Sequence, residues 1–291
     1  STPFVYTVTA EDNSTQDWTV TVTEAPEAAA CLPISTLDCP DIPVGLPFNL
    51  DFDQDEASSI EDNTNLGTGF TMVMEHSEAR RTAAGDLPIS NPDINGYEPS
   101  LLTLNTTTGQ LDILSQAGIS YLDPPASSNN NNQVNTLGVG LQNLAGKFVI
   151  KTTLLGISTG SGAAQAGLWF GFDEDNFVKL NVNNNNVEMR VERAGLSVNN
   201  ATDQLQVSVA GLSGSDVILE MEIDPVTNIV QAYYTVNGGT RTLLETSANS
   251  MTLPANYFAG RTLAGVTGEV TFAGIYATHR NGTQYTASFD N

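Results

Sequence analysis

The chain has 291 residues, of which 40% are hydrophobic, enough to form a substantial core and to exclude a globally disordered protein. Its 10 Lys and Arg residues stand against 33 Asp and Glu residues, giving a formal net charge of −23. Such a charge repels nucleic acid and anionic membranes, and no apolar run approaches the ~20 residues that span a bilayer. A cationic partner such as calcium fits better, although the charge can also serve solubility alone.

Two runs rich in Val, Thr and aromatic residues open the chain, FVYTVTA at 4–10 and DWTVTVT at 17–23. They predict a β-hairpin that belongs to a larger sheet, because an isolated hairpin is only marginally stable in water. The pattern YTVTAEDNSTQDWTVTVTE resembles the last two strands of the Ig-like or cadherin-like β-sandwich repeats of large secreted bacterial proteins. The resemblance implies that residues 1–24 end such a repeat and that Ig-like modules of the same chain are neighbours.

Residues 25–47 are predicted to be a linker, since they begin with an Ala-, Pro- and Glu-rich stretch. Cys31 and Cys39 lie within it in the loop CLPISTLDC. Cysteines so close together in a Pro-containing loop favour a disulfide, formed in an oxidising compartment, over two free thiols. The chain also opens in the middle of a pattern, so we expect a fragment of a longer, secreted or cell-surface protein.

Residues 48–291 are predicted to form one all-β unit. Short β-type runs alternate with segments rich in Gly, Asn, Pro and Ser, and the one candidate helical turn is at 75–85. This organisation favours a two-sheet antiparallel jelly-roll sandwich over a barrel or a parallel sheet.

The segment from residue 163 to 193, AAQAGLWFGFDEDNFVKLNVNNNNVEMRVER, has the clearest pattern. Three runs, 165–172, 177–182 and 187–193, alternate in side-chain type with a period of two, and acidic or Asn-rich turns separate them. Successive side chains of a strand point to opposite faces. The pattern therefore predicts three paired antiparallel strands with one buried face and one solvent-exposed face.

The segments AGLWFGFDEDNFVKLNV, EMRVE, LEMEIDPVTNIVQAYYTVNGG and FAGIYATHRNGTQYTASFDN together resemble a concanavalin A-like (laminin-G-like) jelly-roll module. The resemblance covers most of 48–291 and implies a common use in carbohydrate binding. It does not imply a particular activity, because one such fold carries many functions.

The solvent-exposed face supplies a candidate sugar site. Sugars bind where a flat aromatic ring covers their C–H groups and polar side chains bond their hydroxyls. The alternation places Trp169 opposite Leu168 and Phe170, on the face shared with glycines. We therefore expect a carbohydrate-binding site formed by Trp169, Lys179, Arg190 and Tyr233. The alternative is that Trp169 fills a core, since large aromatic side chains are more often buried.

Acidic residues near both ends of the main unit supply a candidate calcium site. Calcium takes six to eight oxygen ligands, commonly from loop carboxylates. An EF-hand is excluded because Glu56 stands where that loop needs glycine and no helices flank it. We expect instead a structural calcium where the first and last strands meet, with ligands among Asp51, Asp53, Asp55, Asp62 and Asp290. Solvated loop acids are the alternative.

The segment EMEID supplies a candidate hydrolytic site. Glu220, Glu222 and Asp224 share one strand face, a spacing similar to the acid strand of jelly-roll glucanases, but in a different order and without flanking aromatics. Leu219, Met221 and Ile223 would form the buried side of the same strand, so the acids can be merely solvated.

These observations predict a non-catalytic carbohydrate-binding module of an extracellular multidomain bacterial protein, which binds a polysaccharide and holds structural calcium. Two alternatives stay open: an adhesin or spacer segment without glycan binding, and a jelly-roll glycoside hydrolase or lyase that uses the acid strand. The sequence names neither the glycan nor the oligomeric state.

Overall fold

The computed structural model describes residues 43–74, 96–118, 131–159, 162–198, 200–263 and 266–291, and the backbone of 4–9 and 15–20. The predicted disulfide between Cys31 and Cys39 and the predicted helical turn at 75–85 lie outside the described residues. Among the described helices, none has the length and apolar character needed to cross a membrane.

The described elements are almost all β-strands. A 3-10 turn occupies Pro99–Leu101 and a short helix, α1, occupies Asn256–Ala259. In chain order the strands are β1 (Phe4–Thr9), β2 (Thr15–Val20), β3 (Met72–Val73), β4 (Leu102–Asn105), β5 (Gln110–Leu114), β6 (Leu137–Leu141), β7 (Phe148–Ile157), β8 (Gln165–Asp173), β9 (Asn176–Asn183), β10 (Asn186–Glu192), β11 (Gln204–Ser208), β12 (Ser215–Asp224), β13 (Ile229–Val236), β14 (Thr242–Leu243), β15 (Met251–Thr252), β16 (Arg261–Thr262), β17 (Glu269–Thr278) and β18 (Thr286–Asp290).

The strands form a two-stranded ribbon and two eight-stranded antiparallel sheets. Sheet 1 has the order β11-β10-β9-β8-β17-β6-β3, with β16 added to β17. Sheet 2 has the order β14-β13-β12-β7-β18-β5-β4, with β15 added to β13. The predicted all-β, two-sheet antiparallel jelly-roll sandwich is confirmed, as is the sequential pairing of β8, β9 and β10.

The ribbon is the predicted N-terminal hairpin. β1 and β2 pair antiparallel, with Phe4 opposite Val20 and Thr9 opposite Thr15. Its assignment to an Ig-like repeat, and the domain boundaries at 1–24, 25–47 and 48–291, stay predictions.

One apolar core lies between the two sheets. Leu168 and Phe170 enter it from β8, and Leu219 and Met221 enter it from β12, each almost fully buried. These residues are two apart along their strands, so the period-two pattern of the sequence corresponds to the inner face of each sheet.

A second apolar cluster lies on the outer face of sheet 1. Its buried members are Met72, Met74, Trp169, Phe177, Leu263, Val270, Phe272 and Tyr276. Glycines on the same face make room for these rings, since a Cβ added at Gly138 would collide with the Phe272 ring. Sheet 1 is therefore buried on both faces near its centre, and the burial of β8 is continuous from Gln165 to Gly171.

The core predicts the effect of truncating one inward side chain. Leu168→Ala removes a side chain that is 1% exposed, and we expect a loss of roughly 2–5 kcal/mol in the free energy of unfolding. Val226→Ala, at a position 76% exposed, is the control, with a change within about 0.5 kcal/mol. Urea unfolding measures both, and equal losses would contradict the inward placement of Leu168.

Candidate functional site

The outer face of sheet 1 carries a block of polar side chains beside the second apolar cluster. The strand register sets Arg190 opposite Lys179 and Lys179 opposite Trp169, so that the three form one row across β10, β9 and β8. A neighbouring row places Glu188 opposite Asn181. We call this surface the polar face; its buried members are Gln165, Trp169, Lys179, Asn181, Glu188, Arg190 and Glu192.

Lys179 is held by hydrogen bonding and by an aromatic ring. Its Nζ donates to Gln165 Oε1 at 2.9 Å, and the same oxygen accepts a hydrogen bond from the Tyr276 hydroxyl at 3.1 Å. The Nζ atom also lies 5.7 Å from the centroid of the Tyr276 ring. The side chain is therefore fixed over the face rather than extended into solvent.

Arg190 and Glu188 form the other half of the polar face. Arg190 Nε donates to Ser197 Oγ at 2.9 Å, and Arg190 Nη1 lies 3.9 Å from Glu188 Oε2. Gln204 Nε2 donates to the same Glu188 oxygen at 2.7 Å. Glu192, further along β10, accepts a hydrogen bond from the Asn131 carboxamide.

Burial changes the acid–base behaviour of Lys179. The pKa of Lys179 falls from the usual 10.5 to about 7, chiefly because of burial and in smaller part because of the charges of Arg190 and Arg280, while Glu188 and Glu192 oppose the shift. Desolvation disfavours the charged form of a lysine, and strongly perturbed pKa values occur most often at functional sites.

The exposed aromatic platform predicted at Trp169 needs correction. Trp169 does lie opposite the core residues, but it is 1% exposed. Its ring stacks on Phe177 with centroids 3.8 Å apart, and the Tyr276 ring meets its edge at 5.7 Å. The alternation of a strand sets which face a side chain occupies, but not whether another segment covers that face. Trp169 thus fills a core, although not the one between the sheets.

Tyr233 does not join the other predicted sugar-binding residues. It lies on β13, which pairs with β12 and β14 in sheet 2, whereas Trp169, Lys179 and Arg190 lie in sheet 1. The guanidinium of Arg241 covers the Tyr233 ring at 3.4 Å from its centroid. Of the four predicted residues, Trp169, Lys179 and Arg190 therefore lie together on sheet 1, whereas Tyr233 lies on sheet 2.

The acid strand forms an ion-paired surface on sheet 2. Arg241 Nε lies 3.0 Å from Glu220 Oε2, and Arg241 Nη2 lies 2.7 Å from Glu222 Oε1. Asp224 accepts a hydrogen bond from the backbone of Val226, which holds the pKa of Asp224 below its usual range. The Arg241 guanidinium thus forms ion pairs with both glutamates of the candidate hydrolytic site.

Asp62 organises the acidic loop. Its carboxylate is buried and accepts four hydrogen bonds, from Thr64 N, Thr64 Oγ1, Leu66 N and Leu104 N. Asp55 accepts a further one from Gly67 N at 2.7 Å. Both carboxylates therefore serve as backbone acceptors that fix the loop.

The five predicted calcium ligands do not form one site. Asp51 and Asp290 do lie close together, since burial and then the charge of Asp51 raise the pKa of Asp290, while Lys151 lowers it. Asp53 is exposed, and the oxygens of Asp62 are already bonded. Within the described part of the chain, no three His, Cys, Asp or Glu side chains are grouped to hold a metal ion. The five carboxylates therefore do not form a single calcium site, and a bound calcium ion stays a prediction.

Several members of the polar face were not among the predicted site residues. Gln165, Asn181, Glu188 and Glu192 share the parity of Trp169, Lys179 and Arg190 along their strands, so the same alternation indicates them. Tyr276 comes from β17, which a long stretch of sequence separates from β8. Asn131 precedes β6 in an irregular segment, and no local pattern indicates its bond to Glu192.

No family model matches the chain, and no curated protein matches it. Among solved structures, the chain is similar to the GH43 protein BlXynB from Bacillus licheniformis, with a TM-score of 0.53, 18% identity, and 82% of this chain and 37% of that chain covered. It is also similar to GH43B of Bacteroides ovatus (TM-score 0.49, 15% identity, 86% and 41% covered). A lectin from Bauhinia forficata in complex with GalNAc gives a TM-score of 0.40, 11% identity, and 65% and 86% covered.

The similarity to BlXynB supports a jelly-roll-like sandwich, and the chain spans less than half of the two GH43 structures. The prediction of a non-catalytic binding module is wrong, because a solved structure that shares this sandwich, BlXynB, is a GH43 protein. The prediction treated the fold as typical of separate binding modules, whereas BlXynB contains it within a GH43 protein. At 18% identity the likeness establishes the fold, and activity is a matter for proposal.

Replacing Asp62 tests whether it acts as a hydrogen-bond acceptor or as a calcium ligand. Asp62→Ala leaves buried backbone donors without partners, so we expect a loss of about 2–4 kcal/mol in the free energy of unfolding, equal in EDTA and in excess calcium. Asp53→Ala, at an exposed carboxylate, is the control and changes stability by less than about 0.5 kcal/mol. A loss that appears only with calcium would contradict the acceptor role.

The pKa of Lys179 predicts a pH-dependent effect of its removal. The unfolded chain keeps this proton up to about pH 10.5 and the folded chain releases it near 7, so the unfolded state binds more protons in between. This contribution makes the wild type more stable as the pH rises. The stability gained by Lys179→Met is therefore largest below pH 7 and shrinks at higher pH, by up to about 1.4 kcal/mol per pH unit. Urea unfolding from pH 6 to 9 measures it, and a pH-independent difference would contradict the assignment.

Proposed function

We propose that the chain is the β-sandwich unit of a glycoside hydrolase that cleaves an extracellular polysaccharide, and that the polar face contacts the glycan. One observation carries the proposal: Lys179, Glu188, Arg190 and Glu192 all lie on one sheet face, each at most 5% exposed. Removing a charge from water costs several kcal/mol even when it is paired. The ion pairs of Arg241 on sheet 2 are partly exposed to solvent. The burial of the charged groups on the polar face is therefore not shared by all charged groups of this protein.

The groups on the polar face suit a glycan undergoing hydrolysis. Glycoside cleavage uses carboxylates for proton transfer and relies on strong hydrogen bonds to sugar hydroxyls. Glu188 and Glu192 supply carboxylates, and Lys179 and Arg190 supply charged donors on neighbouring strands. Rigid strands hold such groups in place and so lower the ordering cost of binding.

Glu188 and Glu192 are too far apart to form a retaining pair of carboxylates. Four residues along a strand separate two Cα atoms by about 13 Å, against the ~5–5.5 Å between the carboxyl groups of a retaining glycosidase. We therefore assign to the polar face the binding and orientation of the glycan, with one carboxylate available for proton transfer.

Finer assignments belong to the same proposal. The resemblance of the sequence to concanavalin A-like modules and the two eight-stranded antiparallel sheets support that fold for 48–291. The hairpin of β1 and β2 supports an Ig-like neighbour in the same chain. A polysaccharide substrate and the predicted disulfide both support a secreted or cell-surface location.

Release of reducing sugar from xylan and other polysaccharides tests the proposal, with the protein and its variants compared at equal concentration. Glu188→Gln and Glu192→Gln each remove a charge-assisted contact of about 1.5–3 kcal/mol, so we expect kcat/KM to fall roughly 10- to 100-fold. Glu222→Gln changes the same chemical group on sheet 2 and should leave kcat/KM unchanged.

Two results would contradict the proposal. One is a lack of hydrolysis of every polysaccharide by the folded wild-type protein. The other is hydrolysis that Glu188→Gln and Glu192→Gln leave intact while Glu222→Gln abolishes it, which would move the site to the acid strand of sheet 2.

A further inference from the structure

Asn181 and Trp169 have polar atoms that lack hydrogen-bond partners among the described residues. Asn181 is fully buried, and within the described chain neither its Nδ2 nor its Oδ1 has a hydrogen-bond partner. Nε1 of Trp169 is likewise buried and unpaired. Unsatisfied buried polar atoms are rare in folded proteins because each loses its bonds to water without replacement. Their concentration on one sheet face therefore calls for a specific explanation.

A short segment is hydrogen-bonded to strands on either side of this part of the polar face. Residues Asn131–Gln133, which we call the strap, are almost fully buried. Asn131 donates to the carboxylate of Glu192 on β10, and Gln133 Nε2 donates to the carbonyl of Ala277 on β17 at 2.8 Å. The strands β9 and β8 lie between β10 and β17. The strap is therefore attached to the two strands that flank β9 and β8, which carry Asn181 and Trp169.

The contact between the strap and the polar face is poorly satisfied on both sides. Among the described residues, Asn131 Oδ1 and Gln133 Oε1 on the strap have no hydrogen-bond partner, as is true of the side-chain polar atoms of Asn181 and Trp169. If the strap moved away from the sheet, its carboxamides would gain access to water, and the polar atoms of Asn181 and Trp169 would become available to a ligand. Displacement of the strap breaks the bonds that Asn131 and Gln133 donate to Glu192 and Ala277. The unpaired atoms on both surfaces then gain hydrogen bonds to water or to a ligand, which offsets this loss.

We infer that Asn181 and Trp169 form a binding point for a neutral polyhydroxylated sugar, which the strap closes in this structure. The Asn181 carboxamide presents a donor and an acceptor side by side, which match two neighbouring ring hydroxyls. Trp169 Nε1 adds a second donor, and Gly167, opposite Asn181, contributes no side chain to the space. This inference rests on the proposed function and specifies which part of the substrate the polar face recognises.

The unpaired groups favour a neutral sugar over a uronate. An Asn carboxamide places its carbonyl oxygen next to its donor, and that oxygen repels a carboxylate but accepts from a hydroxyl. Lys179 donates to Gln165 and Arg190 lies beside Glu188, so neither cation lacks a partner that the carboxylate of a uronate would have to supply. The ligand chemistry left open on the face is that of hydroxyl groups.

Tryptophan fluorescence provides a test that does not depend on hydrolysis. The chain has two tryptophans, so Trp18→Phe leaves Trp169 as the sole indole and serves as the parent protein. We expect a saturable change in its emission with neutral xylo- or gluco-oligosaccharides, and at least tenfold weaker binding of uronate oligosaccharides of equal length. Asn181→Leu, similar in size but without polar atoms, should weaken neutral-sugar binding at least tenfold while Tm stays equal or rises, because an unpaired group is removed.

Further variants keep the test decisive. Asn181→Asp retains the acceptor, removes the donor, and should weaken binding similarly if the leucine variant does not fold. Asn63→Leu, at an exposed loop position, is the matched control and should bind like the parent. Gln133→Ala removes one anchor of the strap and should tighten binding several-fold.

The outcomes separate this inference from the proposed function. Equal affinity of the parent, Asn181→Leu and Asn181→Asp, or no emission change with any oligosaccharide, overturns the binding point. Unchanged or weaker binding by Gln133→Ala overturns the closing role of the strap. Binding that Asn181→Leu abolishes, in a protein that hydrolyses no polysaccharide, overturns the proposed function and leaves the binding point in place.

Discussion

Sheet 1 buries both of its faces, and this double burial constrains every side chain on β8, β9 and β10. The inner face must be apolar because it meets sheet 2, as Leu168 and Phe170 do. The outer face carries aromatic rings toward β17 and charged groups toward β10, with Trp169 and Lys179 at the boundary between them. A strand in this position allows little substitution, because both of its side-chain sets are enclosed.

The charged half of the polar face is a closely coupled arrangement. Lys179, Glu188 and Arg190 share neighbours, so a change in one alters the electrostatic surroundings of the others. Such networks stabilise a structure when fully satisfied and destabilise it when a member lacks its partner. The polar face combines both states, since its charged members are engaged while Asn181 is not.

The sequence predicts more of the fold than of the candidate site. Period-two alternation is a local property, and it assigned Leu168 and Trp169 to opposite faces correctly. Exposure and strand neighbours depend on contacts between distant segments, so the alternation predicted neither the burial of Trp169 nor the place of Tyr233 in sheet 2. Asp62 illustrates a further limit, because a buried carboxylate that accepts backbone hydrogen bonds has the same sequence appearance as a metal ligand.

The outermost strands of the sheets bear on how this protein behaves in a crowded solution. β3 at one end of sheet 1 and β14 at one end of sheet 2 are each only two residues long. A brief edge exposes few backbone donors and acceptors to which another chain could add a strand. With a net charge of −23 in addition, two molecules that approach edge to edge repel each other and find little to pair with. These two edges are in this way protected against the addition of a strand from another molecule.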